Sequence, residues 1–181
     1  MRRRHPSTLQ AELPRRWLMT DERMGEALWD ALARLPRGSG VVFRHYSLPL
    51  AERKALLGKV ARIARARRLL LVTAGSARFG PAAGSHGRHR GALTAPAHSR
   101  REAIAAIRAG ATLLFASPVH ATRSHPGARA LGPVRLGLMI RGLGVPVIAL
   151  GGMDERRWRA LRPLGVQGWA GIDAWMRQPP T

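Results

Sequence analysis

Seven short apolar runs, and a weaker eighth at 83–86, alternate with stretches of helical periodicity along the chain, and this alternation limits the fold more than any other feature. The runs are Trp17-Leu18-Met19-Thr20, Val41-Val42-Phe43, Leu69-Leu70-Leu71-Val72-Thr73, Ala92-Leu93-Thr94-Ala95, Thr112-Leu113-Leu114-Phe115-Ala116, Val145-Pro146-Val147-Ile148-Ala149-Leu150 and Gln167-Gly168-Trp169-Ala170. The longest are continuously apolar, as strands buried on both faces of a parallel sheet require. Between them, residues 22–35 place Met24, Leu28, Ala31, Leu32 and Leu35 on one helical face, ended by Pro36, Gly38 and Gly40. Pro49 opens an Arg-rich helix reaching about residue 67. Ser99 and Glu102 form a capping box for a helix whose apolar face carries Ile104 and Ile107, and Gly110 ends it. A helix is expected at 134–141, another after the cap Asp154, and a last turn at 173–176. The stretch 74–92, with five glycines, has little periodicity.

This succession predicts a parallel α/β fold. A minimal strand–helix unit takes about 21 to 24 residues, so eight units need roughly 170 to 190. With 181 residues the chain suits a stripped eight-stranded barrel, although about 250 is typical, and an open doubly wound sheet remains the rival. Residues 1–16 read as a basic extension and 17–181 as one domain.

Charge narrows the chemistry. Lys and Arg number 31 against 10 Asp and Glu, a formal +21, and only Lys54 and Lys59 are lysines. Reactions that need many carboxylates are disfavoured, and an anionic partner is indicated. Nucleic acid is not the expected one: aromatics are 5%, no RNA-binding or zinc-finger pattern occurs, and the arginines scatter along the helices as compositional bias would place them. An Arg-rich nucleic-acid binder stays as the rival class. The absence of cysteine excludes disulfides, thiolate metal sites and a Cys nucleophile, and His86-x-x-His89 alone is a weak metal signal. No secretory apolar run follows Met1-Arg2-Arg3-Arg4, and no stretch approaches the ~18 apolar residues of a membrane helix, so a soluble cytoplasmic protein without membrane contact is expected.

In order along the C-terminal half stand Ala97-His98-Ser99, Glu102-Ala103, Ala109-Gly110-Ala111, Ser117-Pro118-Val119, Thr122, Pro126-Gly127-Ala128, Leu131-Gly132 and Val145 to Gly151-Gly152-Met153. This string resembles the thiamine phosphate synthase family and its TenI-type thiazole tautomerases. Leu18-Met19-Thr20-Asp21 and Val42-Phe43-Arg44 are similar to that family's first two strand ends. The resemblance implies a small (β/α)8 TIM barrel and an enzyme of thiamine biosynthesis. Its synthases join a pyrimidine pyrophosphate to a thiazole phosphate with Mg²⁺, whereas its tautomerases move a proton on a thiazole phosphate.

Residue by residue, the resemblance is uneven. His98 holds the place of the tautomerase-type histidine, where a neutral imidazole can relay a proton. Arg44 survives from the pyrophosphate motif, and Tyr46 stands where that motif has lysine. Thr122 and Ser124 keep hydroxyls that can meet a phosphate, His125 replaces a lysine, and Pro96 replaces a serine. Gly151 and Gly152, closed by Gly171 and Ile172, form the expected phosphate cup, with Asp173 where serine is usual. No Asp or Glu lies between Glu52 and Glu102, the region where the family's metal ligands follow the third and fourth strands. The expectation is therefore no metal site, and a TenI-like tautomerase in preference to an Mg²⁺-dependent synthase. An inactive phosphate-ligand scaffold stays as the alternative. The other loop histidines, His86 and His89 among them, read equally as solvated side chains. Oligomeric state stays open.

Overall fold

The computed structural model describes residues 13–75, 80–122, 127 and 129–176. Eight parallel strands close into a barrel in chain order. They are β1 (Arg16–Met19), β2 (Gly40–Phe43), β3 (Leu70–Ala74), β4 (Gly84–His86), β5 (Thr94–Ala97), β6 (Leu113–Ala116), β7 (Val147–Leu150) and β8 (Gly168–Gly171). Outside lie α1 (Ala27–Arg34), α2 (Leu50–Ala66), α3 (Arg100–Arg108), α4 (Gly132–Ile140), α5 (Glu155–Leu161) and α6 (Asp173–Met176). The closed barrel implied by the family resemblance is thus the observed architecture, and the open sheet is not.

Economy is achieved at β4. Among the described residues, no helix separates β3 from β4 or β4 from β5, and residues 87–93 alone return the chain for the next parallel strand. So short a return works because β4 has three residues and meets β5 at one register pair, His86↔Thr94. Parallel neighbours otherwise need a crossover of about a dozen residues.

The expected helix at 22–35 is divided. A 3-10 turn, Glu22–Met24, is capped by the Asp21 carboxylate accepting from Arg23 N at 3.1 Å, and Gly25, at φ +48°, turns the chain before α1 begins. The capping box before α3 forms in altered shape. Ser99 Oγ accepts from Glu102 N at 3.2 Å, while the Glu102 carboxylate accepts from His98 N at 3.3 Å.

Two glycines show how tightly the barrel closes. The Trp17 ring fills the space a side chain at Gly40 would need and meets the Phe115 edge with centroids 5.2 Å apart. At Gly168 the backbone of Arg15 passes so close that any Cβ would overlap it, and there Trp169 N donates to Arg15 O at 2.8 Å. Gly58, mid-helix in α2, faces open space instead. Gly168→Ala is therefore expected to lose at least about 2 kcal/mol of stability through backbone overlap. Gly58→Ala is expected to gain about 0.5–1 kcal/mol. Urea unfolding of the two variants beside the parent checks both signs.

Candidate functional site

A cavity of about 950 Å³ opens where the strands end, between the mouths of β2, β5, β6, β7 and β8. Its wall contains His98, Arg44, Thr122, Gly151, Gly152, Gly171 and Ile172, so seven of the eight residues nominated from sequence converge on one space. The eighth, Ser124, lies outside the described residues, as does His125.

The cup after β7 is shaped by its neighbours. Val119 N donates to Leu150 O at 2.9 Å and His120 N to Gly151 O at 3.1 Å, which lays the segment after β6 alongside the end of β7. Gly151 and Gly152 have φ of +96° and +59°. A Cβ on Gly152 would sit 2.7 Å from Ala121 O, so only glycine lets the backbone pass there. Asp154 caps α5 by accepting from Arg157 N at 2.8 Å, and the Arg157 guanidinium folds back to donate to Gly152 O. Asp173 opens α6 and also lines the cavity, so the carboxylate expected beside the cup is there.

His98 directly follows β5. Its Nδ1 lies 2.7 Å from the Ser117 carbonyl and 3.3 Å from the Ser117 hydroxyl. A carbonyl only accepts, so Nδ1 carries the hydrogen and the neutral ring keeps the lone pair on Nε2.

Arg44 is held by its backbone. Its N–H donates to Thr20 Oγ1 at 2.9 Å, and Thr20 Oγ1 lies 3.0 Å from His45 Nδ1. His45 stacks on Phe43 at 4.9 Å, and burial lowers its pKa against the pull of Glu22 and Asp21. The Arg44 guanidinium keeps a loose pair with Asp21 at 3.7 Å.

The ends of β3 and β4 are unsuited to a divalent cation. The Arg53 guanidinium donates to Ala74 O at 2.8 Å and Arg44 O at 3.3 Å, lying over the Phe43 and Tyr46 rings at 5.9 and 5.5 Å. Beside it stands His86, and no carboxylate lies in this stretch of sequence. Mg²⁺ takes oxygen ligands, usually with one or two carboxylates among them. An arginine and a buried imidazole do not fit it.

Two histidines behave differently from the solvated alternative. His86 is buried inside the barrel, its Nδ1 2.9 Å from Thr94 Oγ1 and its ring edge-on to Phe115. His89 Nε2 pairs with Ser85 Oγ at 2.8 Å. Both do structural work. Arg129 and Arg157, which also line the cavity, escaped the sequence reading. Arg157 carried a usable signal, since a cation in the first turn of a helix opposes the macrodipole and so needs another reason to be there.

Among known proteins, residues 89–175 match the family model described as "Thiamine monophosphate synthase". Thiamine-phosphate synthase of Geobacillus thermodenitrificans is 37% identical over 84 residues, covering 45% of this chain and 38% of the relative. The Pyrococcus furiosus enzyme of the same name is 34% identical over 84 residues, covering 46% and 41%. These alignments span about two-fifths of each relative. The structure titled thiamine phosphate pyrophosphorylase from Pyrococcus furiosus superposes with a TM-score of 0.78 at 24% identity, over 93% of this chain and 89% of that one. Looser barrel likeness extends to "Native KDPGal structure", at a TM-score of 0.56, 14% identity and coverage of 87% and 81%.

Burial, then the nearby Arg44 and His89 charges, push His86 down to about 4. An unfolded histidine titrates near 6.5, so between those values the unfolded chain binds the extra proton and stability falls as pH falls. The expected loss between pH 7 and pH 5 is about 2 kcal/mol from this residue. The check is urea midpoints at both pH values. His86→Gln, although less stable at neutral pH, should show a visibly flatter dependence than the parent.

Proposed function

The chain belongs to the thiamine phosphate synthase and TenI family, and on that premise we propose that it acts in thiamine biosynthesis by binding a thiazole phosphate or a similar phosphorylated heterocycle without a metal ion. The observation that carries this reading is that His98, with its lone pair on Nε2, faces the same cavity as the glycine cup and Arg44.

In this reading the ligand's phosphate meets the backbone N–H groups at Gly151 and Gly152, with the 171–172 turn closing the cup and Arg157 and Arg44 supplying charge. Thr122 directs its hydroxyl to the ligand, and Ser124, nominated from sequence for the same role, lies outside the described residues. The heterocycle lies toward β5, where His98 Nε2 takes a proton from one ring position and returns it to another. Atoms and charge balance within the ligand, so no co-reactant is needed. Coupling to a pyrimidine pyrophosphate is not part of the proposal, because the ends of β3 and β4, where the family resemblance implies the metal ligands, offer the Arg53 guanidinium and His86 and no carboxylate.

A second reading, an inactive ligand-binding scaffold, draws support from Asp154 and Asp173, whose carboxylates offset part of the positive charge at the cup. Calorimetric titration with thiazole phosphate and with pyrimidine pyrophosphate, each with and without Mg²⁺, separates these possibilities. Thiazole phosphate is expected to bind without Mg²⁺, and Arg44→Ala and Arg157→Ala should each weaken it roughly 10-fold or more, as loss of a charged hydrogen bond does. Pyrophosphate binding that needs Mg²⁺ would overturn the metal-free reading. Binding with no isomerisation in the parent would favour the scaffold. An isomerisation rate unchanged by His98→Ala would remove His98 from the mechanism.

A further inference from the structure

All nine described acidic residues sit at the N-terminal end of a helix: Asp21 and Glu22 at the 3-10 turn, Glu26 and Asp30 at α1, Glu52 at α2, Glu102 at α3, Asp154 and Glu155 at α5, and Asp173 at α6. In a barrel of this topology the helices start where the strands finish, so these positions belong to the cavity side, although the Glu155 carboxylate reaches down to pair with Arg16 at the start of β1. Glu12 lies outside the described residues. Apart from that pair, the opposite rim, where strands begin, is left to arginine among the described residues.

We propose that this rim, around the starts of β1, β2 and β3, is a second binding surface that grips the phosphate backbone of a nucleic-acid duplex. Strand register gathers it: Trp17 pairs with Gly40 and Gly40 with Leu70, which brings together the residues two positions earlier, Arg15, Gly38 and Arg68. Gly38 N donates to Arg68 O at 3.2 Å, confirming that the loops touch. Arg37 is next to Gly38 in the same loop, and Arg65 is one turn before Arg68. All four arginines are exposed, and none forms an ion pair with a described carboxylate. Neighbouring strands lie about 4.8 Å apart, so the four charges occupy a small area.

Their backbones are fixed in advance. Arg15 O accepts from Trp169 N, and the turn carrying Arg37 is closed by Ser39 N donating to Pro36 O at 3.1 Å. Arg68 is the one described residue other than glycine with positive φ, at 55°. It closes α2 in a left-handed cap, with Leu69 N reaching Ala64 O at 2.8 Å. Glycine is the usual residue there, and a side chain costs about 1 kcal/mol. Compositional bias explains many arginines but not why, among the described acids, only the Glu155 carboxylate reaches this end. Dipole preference explains Arg65 but not Arg15, Arg37 or Arg68, which lie outside helices.

A duplex is favoured over single strands and membranes because no exposed large apolar side chain lies in these three connections. Among the described residues no aromatic ring is there to stack on splayed bases and no large apolar side chain to enter a bilayer. Guanidinium forks suit phosphate oxygens.

The test uses the full chain and a mixed-sequence DNA duplex of about 20 base pairs, with an RNA duplex in parallel, followed by fluorescence anisotropy across a salt series. The log–log salt slope is expected to fall by roughly 1 for Arg37→Ala and again for Arg68→Gly, about 0.9 per lost phosphate contact. Because Arg68→Gly relieves a left-handed arginine, its Tm should equal or exceed the parent's, which separates lost binding from lost folding. Arg44→Ala, at the cavity, should leave the slope unchanged, which keeps this surface distinct from the thiazole phosphate reading. The chain's other arginines give a background common to all variants, so the difference is the readout. Slopes and affinities identical to the parent in Arg37→Ala and Arg68→Gly overturn the proposal. So does tighter, Arg68-dependent binding to vesicles of phosphatidylglycerol and phosphatidylcholine, which would assign the rim to a membrane surface.

Discussion

The seam between β4 and β5 carries the whole enclosure. A closed barrel needs each strand bonded on both sides, and the three-residue β4 reaches β5 through one register pair and the hydrogen bond from Gly87 N to Thr94 O. The His86 imidazole reinforces that seam from within through Thr94 Oγ1 and packs its edge against Phe115, which in turn meets Trp17 from β1. One neutral histidine thus links the weakest strand to the aromatic filling at the opposite wall. Unlike a leucine of similar bulk, it both fills volume and answers a buried hydroxyl, whose burial without a partner costs about 1–3 kcal/mol.

The same corner shows what occupies the ends of β2 and β3. Arg53 reaches from α2 across two aromatic rings to the carbonyls at the ends of β2 and β3, so these strand ends are tied together by the protein's own cation. Positive charge is built in, and the cavity's working groups shift toward β5 to β8. There a loop stitched to β7 supports the glycine cup, and a carbonyl from Ser117 selects the tautomer of His98.

Much of this was legible in the residues. Continuous apolar runs at regular spacing signalled strands buried on both faces, and they lie within a residue or two of the observed ones. Glycines at 151, 152 and 171 and the histidine after the fifth strand could be placed on one face because a barrel puts every strand end at the same mouth. Three things were hidden. The Gly25 turn that divides the first helix depends on a positive φ that an otherwise helical pattern masks. The inward direction of His86 depends on the register of a strand too short to show alternation. Arg129 and Arg157 join the cavity through loop packing and a folded-back side chain, and neither leaves a periodic trace. The arginines of the rim are scattered in sequence, and only parallel register brings them together.

That separation of charge has a mechanical corollary. A barrel with most of its described carboxylates around the mouth and the unpaired guanidinium groups of Arg15, Arg37, Arg65 and Arg68 around the base carries a permanent dipole moment along its axis, on top of its net charge. Near any polyanionic object the molecule feels a torque as well as an attraction, and it turns base-first before contact. On the proposed duplex contact the mouth would point to solution, leaving the cavity open while the base is occupied.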